Sequence, residues 1–252
     1  SRDGYIVKFS FFYDNFYQPN NATLVIAGDF ELETAKKYVN SYFGSYPKAP
    51  LPTREEFKLN PVNNEYREII NDDKAQLPAV FVGFRGPSLD DSSYFSVKLL
   101  GDILASGESS RLYRRLVDKE QSAVVAELET VNLQYSGLML FIGIASPGNK
   151  IEDVESQLFE EIKKIADKGI NDEELTKAKN ITESQFVQSK KNVQEKAQDL
   201  AKYNSYYNDP SIINTELESY MKVTKEDIKN AAKKYLMTNS RIVLTYLPVV
   251  KN

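Results

Sequence analysis

The spacing of apolar side chains gives the clearest prediction between residues 92 and 119. Apolar residues recur at helical spacing before and after a short polar turn, at Phe95, Leu99, Leu100, Ile103 and Leu104 and then at Leu112, Tyr113, Leu116 and Val117. In the turn, Gly107 can adopt the positive φ of a helix end, and Ser109 or Ser110 can cap the next helix. The pattern predicts two helices that pack against a sheet.

Five other segments have the apolar and β-branched composition of strands, at 65–71, 79–85, 123–133, 135–145 and 241–246. The longest apolar run of the chain, Leu138–Ala145, is typical of a buried strand. Helical patterns cover 151–169, a long stretch from Asp172 past Tyr203, and a short segment opened by Pro210. Thr224 and Asp227 have the spacing of a capping box, which predicts a last helix that ends near Tyr235.

The first 60 residues form a separate pattern. An aromatic-rich helix is predicted at 9–17, a strand at 23–27 and a helix at 31–43. Prolines at 47, 50 and 52 exclude a continuing helix or a central strand, so we expect a proline-rich linker at 46–60.

An internal repeat suggests how these parts are related. Tyr17-x-x-x-Asn21-x-x-Leu24-Val25-Ile26 recurs 218 residues later as Tyr235-x-x-x-Asn239-x-x-Ile242-Val243-Leu244, in both places after a helix. We therefore expect residues 1–45 to be the closing helix, strand and helix of an N-terminal half that is otherwise missing, and residues 61–252 to be a complete C-terminal half. The alternative is that two helix-strand junctions are similar by chance.

Composition limits the possible chemistry. The chain of 252 residues contains no Cys and no His, which excludes disulfides, thiolate nucleophiles, Cys or His zinc sites and Ser-His or Cys-His relays within it. Its net charge of -4 includes no basic block, so nucleic acid is not an expected partner. No apolar run has the length of a membrane span, so membrane insertion is not expected either.

Four segments resemble one known family. They are FYQPNNATLVIAGDFELETAKKYVNSYFG, LLGDILASGESSRLYRRLVDKEQSAVVAEL, GINDEELTKAK and VTKEDIKNAAKKYL, and in order and spacing they resemble the pitrilysin and insulysin family of zinc peptidases. The resemblance extends over essentially the whole chain. It implies an α+β fold with two layers, in which helices pack on one face of a mostly antiparallel sheet. It also implies that two similar halves enclose a chamber and that only the first half carries the H-x-x-E-H zinc motif.

This chain departs from the family at the zinc motif, because it has no histidine. The helix predicted at 92–105 resembles the zinc helix but lacks its ligands, so we assign no catalytic residue and no metal ligand. Asp102 and Glu108 are interpreted as solvated or capping residues. Zinc is expected in the missing N-terminal half or in a partner.

The resemblance also implies that the second half helps to bind substrate through an arginine and a tyrosine. Arg85 and Tyr135 have the required residue types, and we name them as substrate-binding candidates. The alternative for Tyr135 is an ordinary residue of an amphipathic strand. Arg111 is expected to support the turn between the two central helices, and Arg114 and Arg115 are expected to be solvated.

The leading hypothesis is a non-catalytic half of a zinc-dependent peptidase, which forms the chamber wall opposite the zinc half and helps to bind unfolded peptide. Its expected partners are the zinc-bearing half and the peptide substrate. The alternatives are a structural or assembly subunit with the same fold, or a stand-alone peptide-binding module. The first residue is Ser1, so we expect a mature or truncated product, and the compartment stays open between bacterial periplasm and cytoplasm.

Overall fold

The computed structural model describes residues 2–51, 53, 60 and 62–249. The described residues separate into two compact units, one within 1–58 and 187–214 and the other within 59–186 and 215–252. Residues 52 and 54–59 of the expected linker lie outside the described residues. The boundaries expected for the two halves and the linker remain a prediction.

The larger unit contains one open, five-stranded sheet. Its strands are β1 (Tyr66–Asp72), β2 (Ala79–Gly86), β3 (Ala123–Asn132), β4 (Gly137–Ala145) and β5 (Arg241–Pro248). The order across the sheet is β1-β5-β2-β4-β3. The β1-β5 pair is parallel, and the three other pairs are antiparallel. The five predicted strands of this unit and the mostly antiparallel sheet are thus confirmed.

Helices account for most of the remaining residues. They are α1 (Arg2–Phe16), α2 (Leu32–Phe43), α3 (Tyr94–Ala105), α4 (Ile151–Lys168), α5 (Asp172–Ser189), α6 (Val193–Tyr207), α7 (Glu216–Lys222) and α8 (Lys225–Ala231). Short 3-10 turns occur at Pro19–Asn21 and Pro210–Asn214, and π-helical turns at Tyr113–Lys119 and Ala232–Leu236. Helix α8 contacts both α3 and α4, and α3 and α4 contact the sheet, which gives the predicted two layers.

The core lies between these helices and one face of the sheet. On that face Val82, Phe84 and Phe141 are completely buried, and the rings of Phe84 and Phe141 meet edge to face at 5.9 Å. Helix α4 adds its own apolar stripe, which includes Val154, Leu158, Ile162 and Ile165. Gly143 lets α4 approach β4 closely, because a Cβ there would lie 2.7 Å from Val154 Cγ1. One face of the sheet is therefore sealed by close packing.

The prediction of a strand at 23–27 was wrong. Residues 22–27 have neither helical nor strand assignment in the structure, and Leu24 and Ile26 are exposed. A strand is defined by hydrogen bonds to a neighbouring strand, and the apolar pattern cannot supply that neighbour.

The long helix expected from Asp172 past Tyr203 is also interrupted. Helix α5 ends at Ser189, and the side chain of Asn192 caps α6 by accepting hydrogen bonds from the backbone N–H groups of Gln194 and Glu195. This local bond competes with continued helix. The capping box of Thr224 and Asp227 is confirmed, and Gly107 has the expected positive φ of 73°.

Two predictions near the central turn need correction. Ser109 and Ser110 were the two candidate caps. Ser110 is buried, and its hydroxyl makes no hydrogen bond within the described residues, while the Ser109 hydroxyl accepts a hydrogen bond from Lys177. Arg115 is not solvated, because its guanidinium forms ion pairs with Glu160 and Glu161 on α4. The contact arises from the packing of the π-helical turn on α4, which helical spacing alone does not reveal.

Candidate functional site

We call the face of the sheet opposite the helices the open face. Apolar side chains lie next to one another across its centre. Its side chains follow from the register of paired strands, because directly paired residues point to the same face. One row runs across all five strands as Glu127, Ile142, Phe81, Leu244 and Glu68. The next runs as Glu129, Leu140, Gly83, Ile242 and Tyr66. The centre of each row is apolar. Acidic side chains lie at the β3 end of both rows and at the β1 end of the first row.

The two faces of the sheet differ in burial. Phe81, Leu140 and Leu244 on the open face are only half-buried, and Ile242 is 45% exposed, whereas Val82 on the other face is 0% exposed. The ring of Phe81 packs edge to face on Tyr246 at 5.3 Å. A contiguous exposed apolar surface on a folded protein is typical of an interaction site. The open face is therefore a candidate binding surface of the larger unit.

The prediction that Leu138–Ala145 is a buried strand holds for one face of β4 and not for the open face. Met139 and Phe141 of β4 are buried against the helices, but Leu138 is 41% exposed, and Leu140 and Ile142 are half-buried. An apolar run on both faces of a strand indicates two covering layers, whereas among the described residues of the larger unit a single layer of helices packs on β4. The sequence signal that was missed is the apolar character of both faces of β4, which indicates that the open face is also a contact surface.

Arg85 and Tyr135 lie at the same end of the sheet. Arg85 is on the open face of β2 and pairs in register with Leu138, and its guanidinium donates a hydrogen bond to the carbonyl oxygen of Asn60 at 3.0 Å. Tyr135 lies in the turn between β3 and β4 and is 50% exposed. The structure thus places both candidates at one end of the sheet, and their role in substrate binding remains a prediction.

The acidic edge of the open face was missed by sequence reasoning. Glu127 and Glu129 are exposed on β3, and their direct neighbours on β4 are Ile142 and Leu140. The alternation of acidic and apolar residues in β3 was visible in the sequence, but only the register shows that both carboxylates border an apolar floor.

The turn between α3 and the π-helical turn is held by Arg111, as expected. Its guanidinium contacts the carboxylate of Glu174 at 2.5 and 2.7 Å. Glu174 also accepts a hydrogen bond from the backbone N–H of Asn171 at 2.9 Å. Burial raises the pKa of Glu174, but Arg111 and Asn171 outweigh burial and hold that pKa below its ordinary value. This ion pair ties the turn to the start of α5.

Helix α3 carries one carboxylate side chain. Its acidic residue Asp102 lies 3.8 Å from the amino group of Lys98, and burial raises the pKa of the carboxyl group while Lys98 lowers it. Within the described ranges, no three Asp, Glu, His or Cys side chains are grouped so that they could hold a metal ion. None of the helices in the described part combines the length and apolarity needed to cross a membrane.

Comparison with known proteins agrees with this architecture. Residues 9–182, more than half of the chain, match the family described as the peptidase M16 inactive domain. The chain is 28% identical to the zinc protease PqqE of Helicobacter pylori over 181 residues. This aligned region covers 70% of this chain and 40% of that protein. The chain is also 26% identical over 242 residues to an uncharacterized zinc protease of Rickettsia felis, which covers 92% of this chain and 55% of that protein.

A crystal structure of a protease from Helicobacter pylori has the same fold. It superposes with a TM-score of 0.86 at 22% sequence identity, over 95% of this chain and 58% of that one. The chain thus spans about half the length of the relatives that it matches. The chain belongs to the peptidase M16 inactive domain family, and the resemblance to zinc peptidases read from its sequence is confirmed.

Proposed function

We propose that this chain is the non-catalytic half of a zinc-dependent peptidase and that its open face forms one wall of the chamber that holds unfolded peptide. The observation that carries the proposal is the apolar open face, whose residues Phe81, Leu140 and Leu244 are accessible although they belong to the centre of the sheet. An unfolded peptide presents apolar side chains and unpaired backbone groups, which such a surface can bind. Membership of the inactive-domain family and relatives named zinc proteases support this reading.

Hydrolysis then depends on a zinc-bearing half, either in the same polypeptide or in a partner subunit. That half would supply the metal and the activated water. This chain would position the peptide, with Arg85 and Tyr135 at one end of the sheet as candidate contacts.

The smaller unit supports the proposal that a zinc-bearing half exists. Its exposed apolar residues include Leu24, Ile26, Tyr38 and Tyr42, which line an apolar groove within that unit. The repeat aligns residues 24–26 with 242–244 of β5, a strand that has a neighbour on both sides. We propose that residues 1–45 complete the zinc-bearing half, where segment 22–27 would gain the neighbouring strands that it lacks here.

A reconstitution experiment tests the proposed function. The chain is mixed with a separately purified zinc-bearing half, and cleavage of an unstructured fluorogenic peptide is followed with each half alone as a reference. We expect turnover only in the mixture. Absence of turnover, when the other half is shown to contain zinc and to bind this chain, would instead favour a structural or assembly subunit.

Variants connect that activity to the open face. Leu138→Ser changes an open-face residue that is 41% exposed, and Met237→Ser is a matched control because Met237 is 44% exposed and precedes β5. We expect a higher KM for the first variant and an unchanged KM for the second. Arg85→Gln and Tyr135→Phe test the two candidate contacts by the same measurement.

A further inference from the structure

Strand β3 forms an open edge of the sheet. On one side it pairs with β4 from Ala123 to Asn132, and no other strand follows it in the sheet order. Within the described residues, no backbone hydrogen bond joins its outer side to another segment. Its alternate N–H and C=O groups are therefore available to an added strand.

The open-face side chains along this edge form a short pattern of charge and apolarity. Val125 and Val131 flank Glu127 and Glu129, and all four point to the open face. Neither carboxylate has an ion-pair partner among the described residues, whereas Glu68 on the opposite edge of the sheet accepts a hydrogen bond from the Tyr66 hydroxyl at 2.6 Å. The unmatched acidic edge is thus β3.

We infer that an extended peptide adds to β3 as a sixth strand and that the preferred segment has two basic residues, two positions apart, between apolar residues. Residues directly opposite on paired strands interact, and opposite charges there stabilise the pair. Lys or Arg beside Glu127 and Glu129 would neutralise both carboxylates, and apolar side chains beside Val125 and Val131 would extend the floor. This inference rests on the proposed function in taking an unfolded peptide as the ligand.

A different role for the two carboxylates leads to the opposite expectation. Charged side chains on an edge strand can serve to prevent association with other strands. In that case an added peptide would not bind, whatever its charge. Binding measurements therefore separate the two roles directly.

The probe is the fluorescein-labelled peptide Val-Thr-Lys-Thr-Lys-Thr-Val, whose alternate side chains match the four β3 positions in either strand direction. Binding is measured by fluorescence polarisation, together with hydrogen exchange at residues 124–131. We expect saturable binding, slower exchange in β3, and binding that weakens with salt. The Val-Thr-Glu-Thr-Glu-Thr-Val peptide should bind at least tenfold more weakly.

Protein variants test the charge pairing. Glu127→Gln combined with Glu129→Gln should weaken binding of the lysine probe by about tenfold, from two cross-strand charge pairs. The matched control is Glu108→Gln combined with Glu226→Gln, two exposed acidic residues outside the sheet, which should leave affinity unchanged. Circular dichroism verifies that both proteins are folded. Equal affinities for the two double variants would overturn the inference.

Peptide methylation tests the backbone geometry. Residues along a strand direct their N–H groups to alternate edges, so N-methylation of one alternate set of residues should abolish binding and methylation of the other set should preserve it. Equal effects of the two sets would exclude strand addition. If the probe fails to bind while the reconstituted halves still cleave an unstructured peptide, the inference is wrong and the proposed function stands. If the probe binds but the mixture shows no turnover, although the other half contains zinc and binds this chain, the proposed function is wrong and the inference stands.

Discussion

Phe81 and Phe84 offer a test of the difference between the two faces of the sheet. Both are on β2, but Phe84 is completely buried against the rings of Phe141 and Phe159, whereas Phe81 is half-buried on the open face. Phe84→Ala should leave a closed cavity and lower the free energy of unfolding by about 3–5 kcal/mol. Phe81→Ala leaves a space that water can fill, so we expect a loss of about 1–2 kcal/mol, including the edge-to-face contact with Tyr246.

The stabilities of both variants are measured by urea unfolding, followed by circular dichroism and by hydrogen exchange of the β2 amides, because the two units of the chain can unfold separately. Peptide binding is measured in parallel. Phe81→Ala should weaken binding of an unstructured peptide several-fold in spite of its small effect on stability. Equal stability losses in the two variants, or unchanged peptide binding by Phe81→Ala, would refute the functional distinction between the faces.

Three further predictions concern the ion pair, the close packing of β4 and zinc. Burial raises the pKa of Glu174, but Arg111 outweighs burial, and the pKa is lowered overall. The ion pair therefore stabilises the fold at pH values above the ordinary carboxyl pKa. Its contribution is lost as the pH falls through the lowered pKa. Glu174→Gln should cost about 1–3 kcal/mol at pH 7 and flatten the acid dependence of the urea midpoint; an unchanged pH profile would contradict this. Gly143→Ala should cost about 1–3 kcal/mol because its Cβ would meet Val154 Cγ1 at 2.7 Å, whereas Gly83→Ala, with its nearest contact at 3.7 Å, should be nearly neutral in the same unfolding assay. After incubation with zinc and dialysis, the chain alone should retain no stoichiometric metal by elemental analysis, since it contains no His or Cys; a tight site would contradict the assignment.

Local signals were sufficient to predict most elements of the larger unit. The side chains of Thr224 and Asp227 each accept a hydrogen bond from the backbone N–H of the other residue. Gly107 adopts the positive φ expected after the end of α3. Such features depend on the interactions of a few consecutive residues, so they can be predicted from the local sequence. The same holds for Arg111 in supporting the turn, although its partner Glu174 is distant in sequence and was not foreseen.

The candidate site was predicted only in part. Arg85 and Tyr135 were selected by residue type, and the structure brings them to one end of the sheet. The apolar floor and the carboxylates of Glu127 and Glu129 emerge only when five strands are placed side by side. Arg115 was wrongly expected in solvent because its partners, Glu160 and Glu161, belong to another helix and are brought to it by packing.

By itself, the sequence determined that this chain cannot form an H-x-x-E-H zinc site, because it contains no histidine. It also determined where most helices and strands occur, through periodicity and capping. Only the tertiary structure decided the order β1-β5-β2-β4-β3, the face of β4 that is left open, and the absence, among the described residues, of a strand paired with segment 22–27. The physical reason is that a helix satisfies its own backbone within a few residues, whereas a strand depends on hydrogen bonds and side-chain contacts from distant parts of the chain.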